Sequence, residues 1–339
     1  MKQTQVTIKD NLLNELGEVK HPGYATSLVL DYDRNMVKAK KSRIKEWDYY
    51  FFGDETFGVA LTIADNSYMG LVGATIFDFV NHKRYDYKHI IPFPNGKLKM
   101  PTDSMQGDIV FQNRKVVFKA INNKDSRELY VNIPKFHKGK AFEFKAQISY
   151  LNKDTLVIIT PYKDDKKAFY YNQKINNLIA MGTLTFGKEE YQLNKLQGVL
   201  DWGRGVWTRD NTWYWSSMST VLPDGSPFGF NLGYGFGDTS AASENMAFYK
   251  GKAYKLNDVD FGLPRDNFTD DWHFQSADGA IDLIFTPLYD NYNKINLLFL
   301  RQNSHQVFGH FSGAIKIAKD EVVTINKAFG FAEKVRNVW

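Results

Sequence analysis

Asp201-Trp202-Gly203-Arg204-Gly205-Val206-Trp207 opens a stretch, Leu200 to Asn245, whose reading decides the fold. Trp213-Tyr214-Trp215 follows, then Gly229-Phe230-Asn231-Leu232-Gly233-Tyr234-Gly235-Phe236-Gly237-Asp238, then Glu244-Asn245. Four of the seven tryptophans fall in its first 16 residues. The segments read as consecutive antiparallel strands. Successive side chains of a strand point to opposite faces. Trp213 and Trp215 therefore share a face, with Ser217 beyond them. In the third segment Gly229, Asn231, Gly233, Gly235 and Gly237 share one face, and Phe230, Leu232, Tyr234 and Phe236 the other. A row of glycines weakens a strand and needs a reason: a bulge, a sharp bend, or close approach of a ligand or backbone. Strict alternation separates Asp201 from Arg204, whereas a bulge at Gly203 or Gly205 would bring them to one side. The run is no dinucleotide loop, because its glycines alternate inside a strand and no amphipathic helix follows.

Composition bounds the rest. At 339 residues the length prior is about two domains. An aromatic share of 15%, with 26 Phe, 19 Tyr and 7 Trp, favours sheet over helix. The chain has no Cys, which removes disulfides, thiolate catalysis and cysteine metal sites together. The start, Met1-Lys2-Gln3-Thr4-Gln5-Val6, has no apolar core of signal-peptide length. No run of about 18 apolar residues could span a bilayer as a helix. These features predict a soluble cytoplasmic protein with no integral membrane segment. The net charge of +5 is spread along the chain, so nucleic acid is not expected as a partner. One local cluster stands out, Lys38-Ala39-Lys40-Lys41-Ser42-Arg43-Ile44-Lys45. It reads as a solvated hairpin edge whose lysines block sheet-to-sheet pairing, or as a weak contact with an anionic membrane surface.

Around the central stretch, strand patterns with turn signals run along nearly the whole chain. Residues 1–20 read as a polar lead-in with one helical turn at Asn11–Leu16, ended by Gly17. Strands are expected at Tyr24–Leu30, Ile44–Phe52, Thr56–Ile63, Tyr68–Val80 and Arg84–Ile91, before a loop from Pro92 to Pro101. Ile109–Phe111 and Val116–Ala120 form a hairpin around Asn113-Arg114. Lys140–Tyr150 alternates most clearly, with Phe142, Phe144, Ala146, Ile148 and Tyr150 on one face. Thr155–Thr160 continues the sheet, and Pro161 with Lys163-Asp164-Asp165-Lys166-Lys167 marks a seam. Strands at Phe169–Lys174 and Leu178–Phe186 lead into the central stretch. Hairpins follow at Phe248–Lys255, around Lys250-Gly251, and at Trp272–Phe285, around Asp278-Gly279. Ile295–Leu300 is expected to pair with Val307–Ile317, with His305 and His310 bracketing a turn. Val322–Ile325 is the last expected strand before a tail, Phe329 to Trp339. The pattern predicts an all-β protein of two tandem antiparallel barrels or sandwiches. The expected division is a lead-in at 1–20, an N-terminal domain at 21–170 and a C-terminal domain at 171–339. Glu46-Trp47-Asp48-Tyr49-Tyr50 faintly echoes Trp213-Tyr214-Trp215, one aromatic-led strand in each half.

The set Asp201-Trp202-Gly203-Arg204-Gly205-x-Trp207, Trp213-x-Trp215, Asn231-Leu232-Gly233-x-Gly235-Phe236 and Glu244-Asn245 resembles a bacterial family known as domain of unknown function 2804. Gly23-Tyr24 and Lys45-Glu46-Trp47-Asp48-Tyr49 match that family's early pattern, so the resemblance runs from about Gly23 to Trp339. More distantly the chain is similar to the two-domain lipocalin-like proteins, among them carotenoid 1,2-hydratase, AttH-like proteins and tocopherol cyclase. That resemblance implies two calycin-type barrels and apolar, isoprenoid- or polyketide-like ligands. Several of those proteins carry an Asp-His-x-Trp-Gly-like element near the domain junction. Asp201 matches its aspartate, but Trp202 stands in place of the histidine, which counts against hydratase chemistry.

The residues support more than one chemistry. An acid-initiated reaction on an alkene needs a protonated carboxylic acid in a dry pocket, with aromatic faces around the developing cation. Asp201 among Trp202, Trp207, Trp213 and Trp215 has those ingredients. Asp201 and Arg204 could equally form a structural pair, and a carboxylate beside a guanidinium makes a poor acid. Glu244 and Asn245 either cap a turn or bond a ligand's polar end. Asn231, alone on the glycine face, either orients a ligand or satisfies a neighbouring backbone. Trp47, Tyr49 and Phe51 share a face and read as plain core, with Trp47 and Tyr49 as further candidate ligand contacts. None of the seven histidines has ligand-like spacing, so no metal is expected, nor any cofactor. No Gly-x-Ser-x-Gly elbow supports a serine nucleophile, and paired carboxylates of glycosidase type stay open because their spacing is spatial. The leading expectation is a protein that binds a hydrophobic small molecule in an aromatic-lined pocket. The alternatives are a lyase, hydratase or isomerase of an apolar substrate, with Asp201 as acid and Arg204 beside it, and a structural or interaction protein.

Overall fold

The computed structural model describes residues 3–296 and 301–339. Period-two alternation and short turns build two antiparallel sheets, one of twelve strands and one of nine. The path of the first runs Lys83–Pro92, Met69–Asp78, Phe57–Asp65, Ile44–Gly53, Glu189–Val206, Phe169–Phe186, Lys140–Tyr150, Ser126–His137, Val117–Asn123, Ile109–Gln112. Leu156–Pro161 and Gly23–Ala25 attach beside Phe169–Phe186. The second runs Lys252–Lys255, Met246–Tyr249, Pro227–Tyr234, Asp210–Val221, Glu321–Val338, Arg301–Ala318, Ile281–Asn296, Trp272–Ser276, Val259–Asp260. Along the path of each sheet one pairing joins the most distant parts of the chain, Ile44–Gly53 with Glu189–Val206 and Asp210–Val221 with Glu321–Val338. Among the described residues the helices are two 3₁₀ turns, Arg34–Met36 and Lys41–Arg43, and none is long and apolar enough to cross a membrane.

The first sheet curls until its ends touch. His89 of one edge strand lies 5.9 Å in ring centroid distance from Phe111 of the other, and Tyr85 packs further in against His137 and Phe186 at 5.2 and 4.9 Å. Each sheet wraps its own core. Phe52, Leu61, Phe118, Phe142, Phe144, Ile148 and Trp202 fill the first. Phe230, Leu232, Phe274, Phe285 and Phe311 fill the second. The opposite faces then meet each other, through Phe51, Phe77, Phe79, Phe308 and Phe331. This is the expected pair of tandem lipocalin-like barrels, with both interiors occupied by side chains.

Several local expectations change. The lead-in is tied to the first barrel: Val6, Leu12 and Leu13 enter its core, Asp10–Asn11 pairs with Leu30–Asp31, and residues 14–17 turn without a helix. Phe169–Phe186 is one strand bent at Asn177, whose φ is 57°. The charged run after Pro161 closes a hairpin back onto the same sheet, Leu156–Pro161 pairing with residues 169–174, and Arg43 pairs its Asp165 at 2.7 Å. Sheet membership therefore changes between Val206 and Asp210, not at 170/171. His305 and His310 lie inside the strand Arg301–Ala318 and bond Asp290 and Glu55, so no turn separates them. Val307 and Phe311 pair with Asp290 and Phe285 instead of the Ile295–Leu300 segment, of which residues 297–300 lie outside the described part. The expected tail belongs to a single strand, Glu321–Val338. In the basic cluster Lys38, Lys40 and Lys41 are exposed on a turn rather than a hairpin edge, while Lys45 is buried.

The Asp201–Arg204 pair does not form. The ladder from Leu200 to Val206 is unbroken, so no bulge reverses the alternation. Arg204 points into the first barrel with Trp202, its guanidinium 4.2 Å over that indole. It donates to Asp48 at 3.2 Å, to the Trp47 and Gly203 carbonyls at 2.8 Å, and to the Pro101 carbonyl at 2.8 and 3.1 Å. It thus clamps the loop ending at Pro101 onto the Ile44–Gly53 strand. Removing one partner of such a buried pair strands the other. Arg204→Leu is expected to lower unfolding free energy by about 3–5 kcal/mol, read as the urea midpoint. An unchanged midpoint would rule the clamp out.

Candidate functional site

Because Asp201 alternates with Trp202 and Arg204, it faces the second sheet. Trp47 and Tyr49, facing away from Asp48 and Tyr50, join it from the neighbouring strand. Trp213 and Trp215 face back across from Asp210–Val221, with Glu333 paired directly to Trp215. Between these faces lies a cavity of about 550 Å³. It is lined by Trp47, Tyr49, Trp207, Trp213, Trp215 and Phe236, with Lys174, Asp201, Glu244 and Glu333 as its acidic and basic groups on that side. The aromatic wall is continuous. Trp47 meets Trp207 edge-on at 5.2 Å, Trp207 meets Trp213 at 5.8 Å, and Phe236 stacks on Tyr170 at 4.4 Å and Trp213 at 5.1 Å.

The polar groups form one network. The Lys174 ammonium sits 3.0 Å from Asp201, 3.7 Å from Glu244 and 4.0 Å over the Trp215 ring. Asp201 also accepts from Trp47 Nε1 at 3.1 Å and Asn172 Nδ2 at 2.5 Å. Glu244 accepts from the Tyr170 hydroxyl at 3.0 Å. Glu333 accepts from Trp213 Nε1 at 2.8 Å and from Gln306 at 3.4 Å. Burial disfavours the charged form of a carboxyl. It pushes the Glu333 carboxyl up to about 7, against the opposing pull of the Trp213 donor and Lys174. It raises Glu244 as well, again partly offset by Lys174.

Seven of the expected site residues therefore share one cavity: Trp47, Tyr49, Asp201, Trp207, Trp213, Trp215 and Glu244. Four do not. Arg204 and Trp202 lie inside the first barrel. Asn231 holds the wall from behind, accepting from Trp215 Nε1 at 2.7 Å and donating to the Glu244 carbonyl at 2.9 Å. Asn245 accepts from the Gly233 amide at 2.8 Å and donates to the Asn257 carbonyl at 2.9 Å. Of the reasons for the glycine row, close approach of neighbouring protein atoms is the one found, and the row leaves no hollow for a ligand. A Cβ at Gly229 would meet Asn177 Oδ1 at 2.6 Å, and one at Gly235 would meet the Thr212 carbonyl at 2.3 Å. Gly203 makes room for Trp47, whose indole lies 2.0 Å from where its Cβ would be. Phe236 crosses to the glycine face because the strand ends at Tyr234 and Gly235 takes φ +110°. The cavity lies beside these positions, under the indoles.

Sequence reasoning missed Lys45, Tyr170, Lys174, Gln306 and Glu333. Alternation in Tyr170-Tyr171-Asn172-Gln173-Lys174 puts Tyr170, Asn172 and Lys174 on Asp201's side, a signal that was available. Glu333 came from a segment read as tail, although Phe329, Phe331, Glu333 and Val335 alternate.

Comparison with curated proteins finds no match. Among solved structures, an AttH-like protein of Nitrosomonas europaea superposes with a TM-score of 0.52 at 14% identity, covering 90% of this chain and 96% of that one. Kievitone hydratase of Nectria haematococca gives 0.46 at 11% identity, covering 87% and 88%. The first likeness is one of fold. The family model for the domain of unknown function DUF2804 matches residues 3–339, and the chain belongs to that family.

Proposed function

We propose that this protein binds a hydrophobic small molecule in the cavity between its two sheets. The observation that carries the reading is the cavity itself: about 550 Å³, walled by four indoles, in a molecule whose barrel interiors are filled. Small-molecule sites are apolar hollows of roughly 300–1,000 Å³ with a few fixed polar groups. Lys174, Asp201, Glu244 and Glu333 supply those groups at one side. Trp207 Nε1, buried and without a partner among the described residues, is a further donor beside it. Ala64 lines the wall, so Ala64→Phe fills the space without adding charge. Wild-type protein is expected to bind 1-aminoanthracene or to release an apolar molecule on solvent extraction. Ala64→Phe should weaken probe binding at least about tenfold, as the lost volume and contacts imply. Equal binding by both proteins would place the ligand elsewhere.

A second reading, chemistry on an apolar substrate, is favoured by one observation. A carboxyl held near 7 in an indole-walled cavity is suited to donating a proton at neutral pH. In this reading Glu333, rather than Asp201, is the acid of a lyase, hydratase or isomerase. Asp201 acts as an acceptor toward Lys174, Trp47 and Asn172. Trp215 and Lys174 then frame the polar side of the cavity.

The raised carboxyl has a stability signature. Below about pH 4.5 Glu333 is protonated in both folded and unfolded chains and has no net effect. As pH rises toward 7 the unfolded chain releases that proton while the folded one keeps it, so stability falls. Above 7 the loss is complete, at roughly 3 kcal/mol for a gap between 4.5 and about 7. Glu333→Gln should remove this component. The gap between variant and wild type should widen in the variant's favour from pH 5 to pH 8, measured by urea unfolding. A constant gap would mean that Glu333 ionises normally.

A further inference from the structure

Lys45 lines the same cavity but stands outside the Lys174 network. It pairs with Gly205, whereas Tyr49 pairs with Asp201. Four residues at about 3.3 Å each put it ~13 Å along the strand from that pairing. Lys45 is 2% exposed. Its Nζ lies 3.6 Å from the Trp339 ring centroid and 4.1 Å from that of Tyr68, and its hydrogen bond goes to the Asn66 carbonyl at 3.4 Å.

Other buried or half-buried cations, Lys174, Arg204, Arg34 and Lys255, are neutralised or saturated. Lys174 has Asp201 and Glu244, Arg204 has Asp48, and Arg34 has Glu46. Lys255 donates to three oxygens. Lys45 makes no ion pair among the described residues, and a desolvated ammonium without a counter-charge is costly. Burial, with Arg43 nearby, lowers its pKa to about 7 against the weaker pull of Asp65.

We infer that Lys45 is the head-group site for the carboxylate of an otherwise apolar ligand, whose body lies against the indoles. The inference rests on the cavity-binding reading above and adds the ligand's chemical class. An ammonium offers three donors and no acceptor, so it selects an acceptor group, and a carboxylate brings the missing charge. Lys88, exposed on the edge strand Lys83–Pro92, lines the same cavity and adds a second positive charge. A dianionic phosphate fits less well, since Lys88 is exposed and screened by water, and the single buried ammonium of Lys45 would leave one phosphate charge uncompensated in a cavity that already holds Asp201, Glu244 and Glu333.

The test is calorimetric titration at pH 6.5 of decanoate and decan-1-ol, which share a tail and differ in head group. Wild-type protein should bind decanoate at least about tenfold tighter than decanol, the ratio a charge-assisted hydrogen bond supplies. Lys45→Met should erase that preference, and Lys45→Arg should keep most of it, with thermal melting confirming that both variants fold. Decanoate affinity unmoved by Lys45→Met, with both ligands still bound, would overturn the head-group assignment and leave the cavity reading standing. Binding of neither ligand to wild-type protein would overturn both.

Discussion

Each long strand at the centre of this protein has two buried faces, and that constraint governs everything else. One face must fill a barrel and the other must meet the second sheet. Ile44–Gly53 shows the division most simply. Tyr50 and Phe52 enter the first core, while Trp47, Tyr49 and Phe51 face the opposite sheet. Asp210–Val221 does the same from the other side, with Met218 inward and Trp213 and Trp215 across from Trp47 and Tyr49. A period of two leaves no third direction, so a one-residue slip would exchange core and cavity wall.

The interface between the sheets is not packed evenly. Toward Phe51, Phe77, Phe308 and Phe331 the rings interlock at centroid distances of 4.9 to 6.4 Å. Toward Trp47 and Trp213 the indoles meet Trp207 edge-on and stack on Tyr170 and Phe236, and the faces stand apart. Wide rigid rings bridge a gap by edge contacts without filling it. The polar groups sit where the gap opens. Lys174 holds Asp201 and Glu244 together, and indole and amide donors orient each carboxylate. Asn231 and Gly203 contribute indirectly, the first by fixing Trp215 and the second by yielding its side-chain space to Trp47.

Two buried arginines do different work from this network. Arg204 and Arg127 lie inside the first barrel around Asp48 and Tyr50 and bind the carbonyls of Pro101 and Ser104. They anchor the loop that carries Pro101 and Ser104. The barrel can hold these charges because their donors are matched by acceptors, which separates them from Lys45.

Most strands and hairpin turns, the all-β class and the aromatic nature of the cavity wall were determined by the sequence itself. Alternation and turn chemistry are local, so Lys140–Tyr150, the Lys250-Gly251 hairpin and the shared face of Trp213 and Trp215 could be read from neighbours in the chain. Only the tertiary structure decided which strands from distant parts of the chain lie side by side. It put Trp47 over Gly203, filled the glycine row with neighbouring backbone, sent Arg204 to Asp48 instead of Asp201, and brought Glu333 to Trp213. Those outcomes depend on two long-range pairings, Ile44–Gly53 with Glu189–Val206 and Asp210–Val221 with Glu321–Val338. Such pairings are fixed by burial over the whole sheet, and no short window of sequence encodes them.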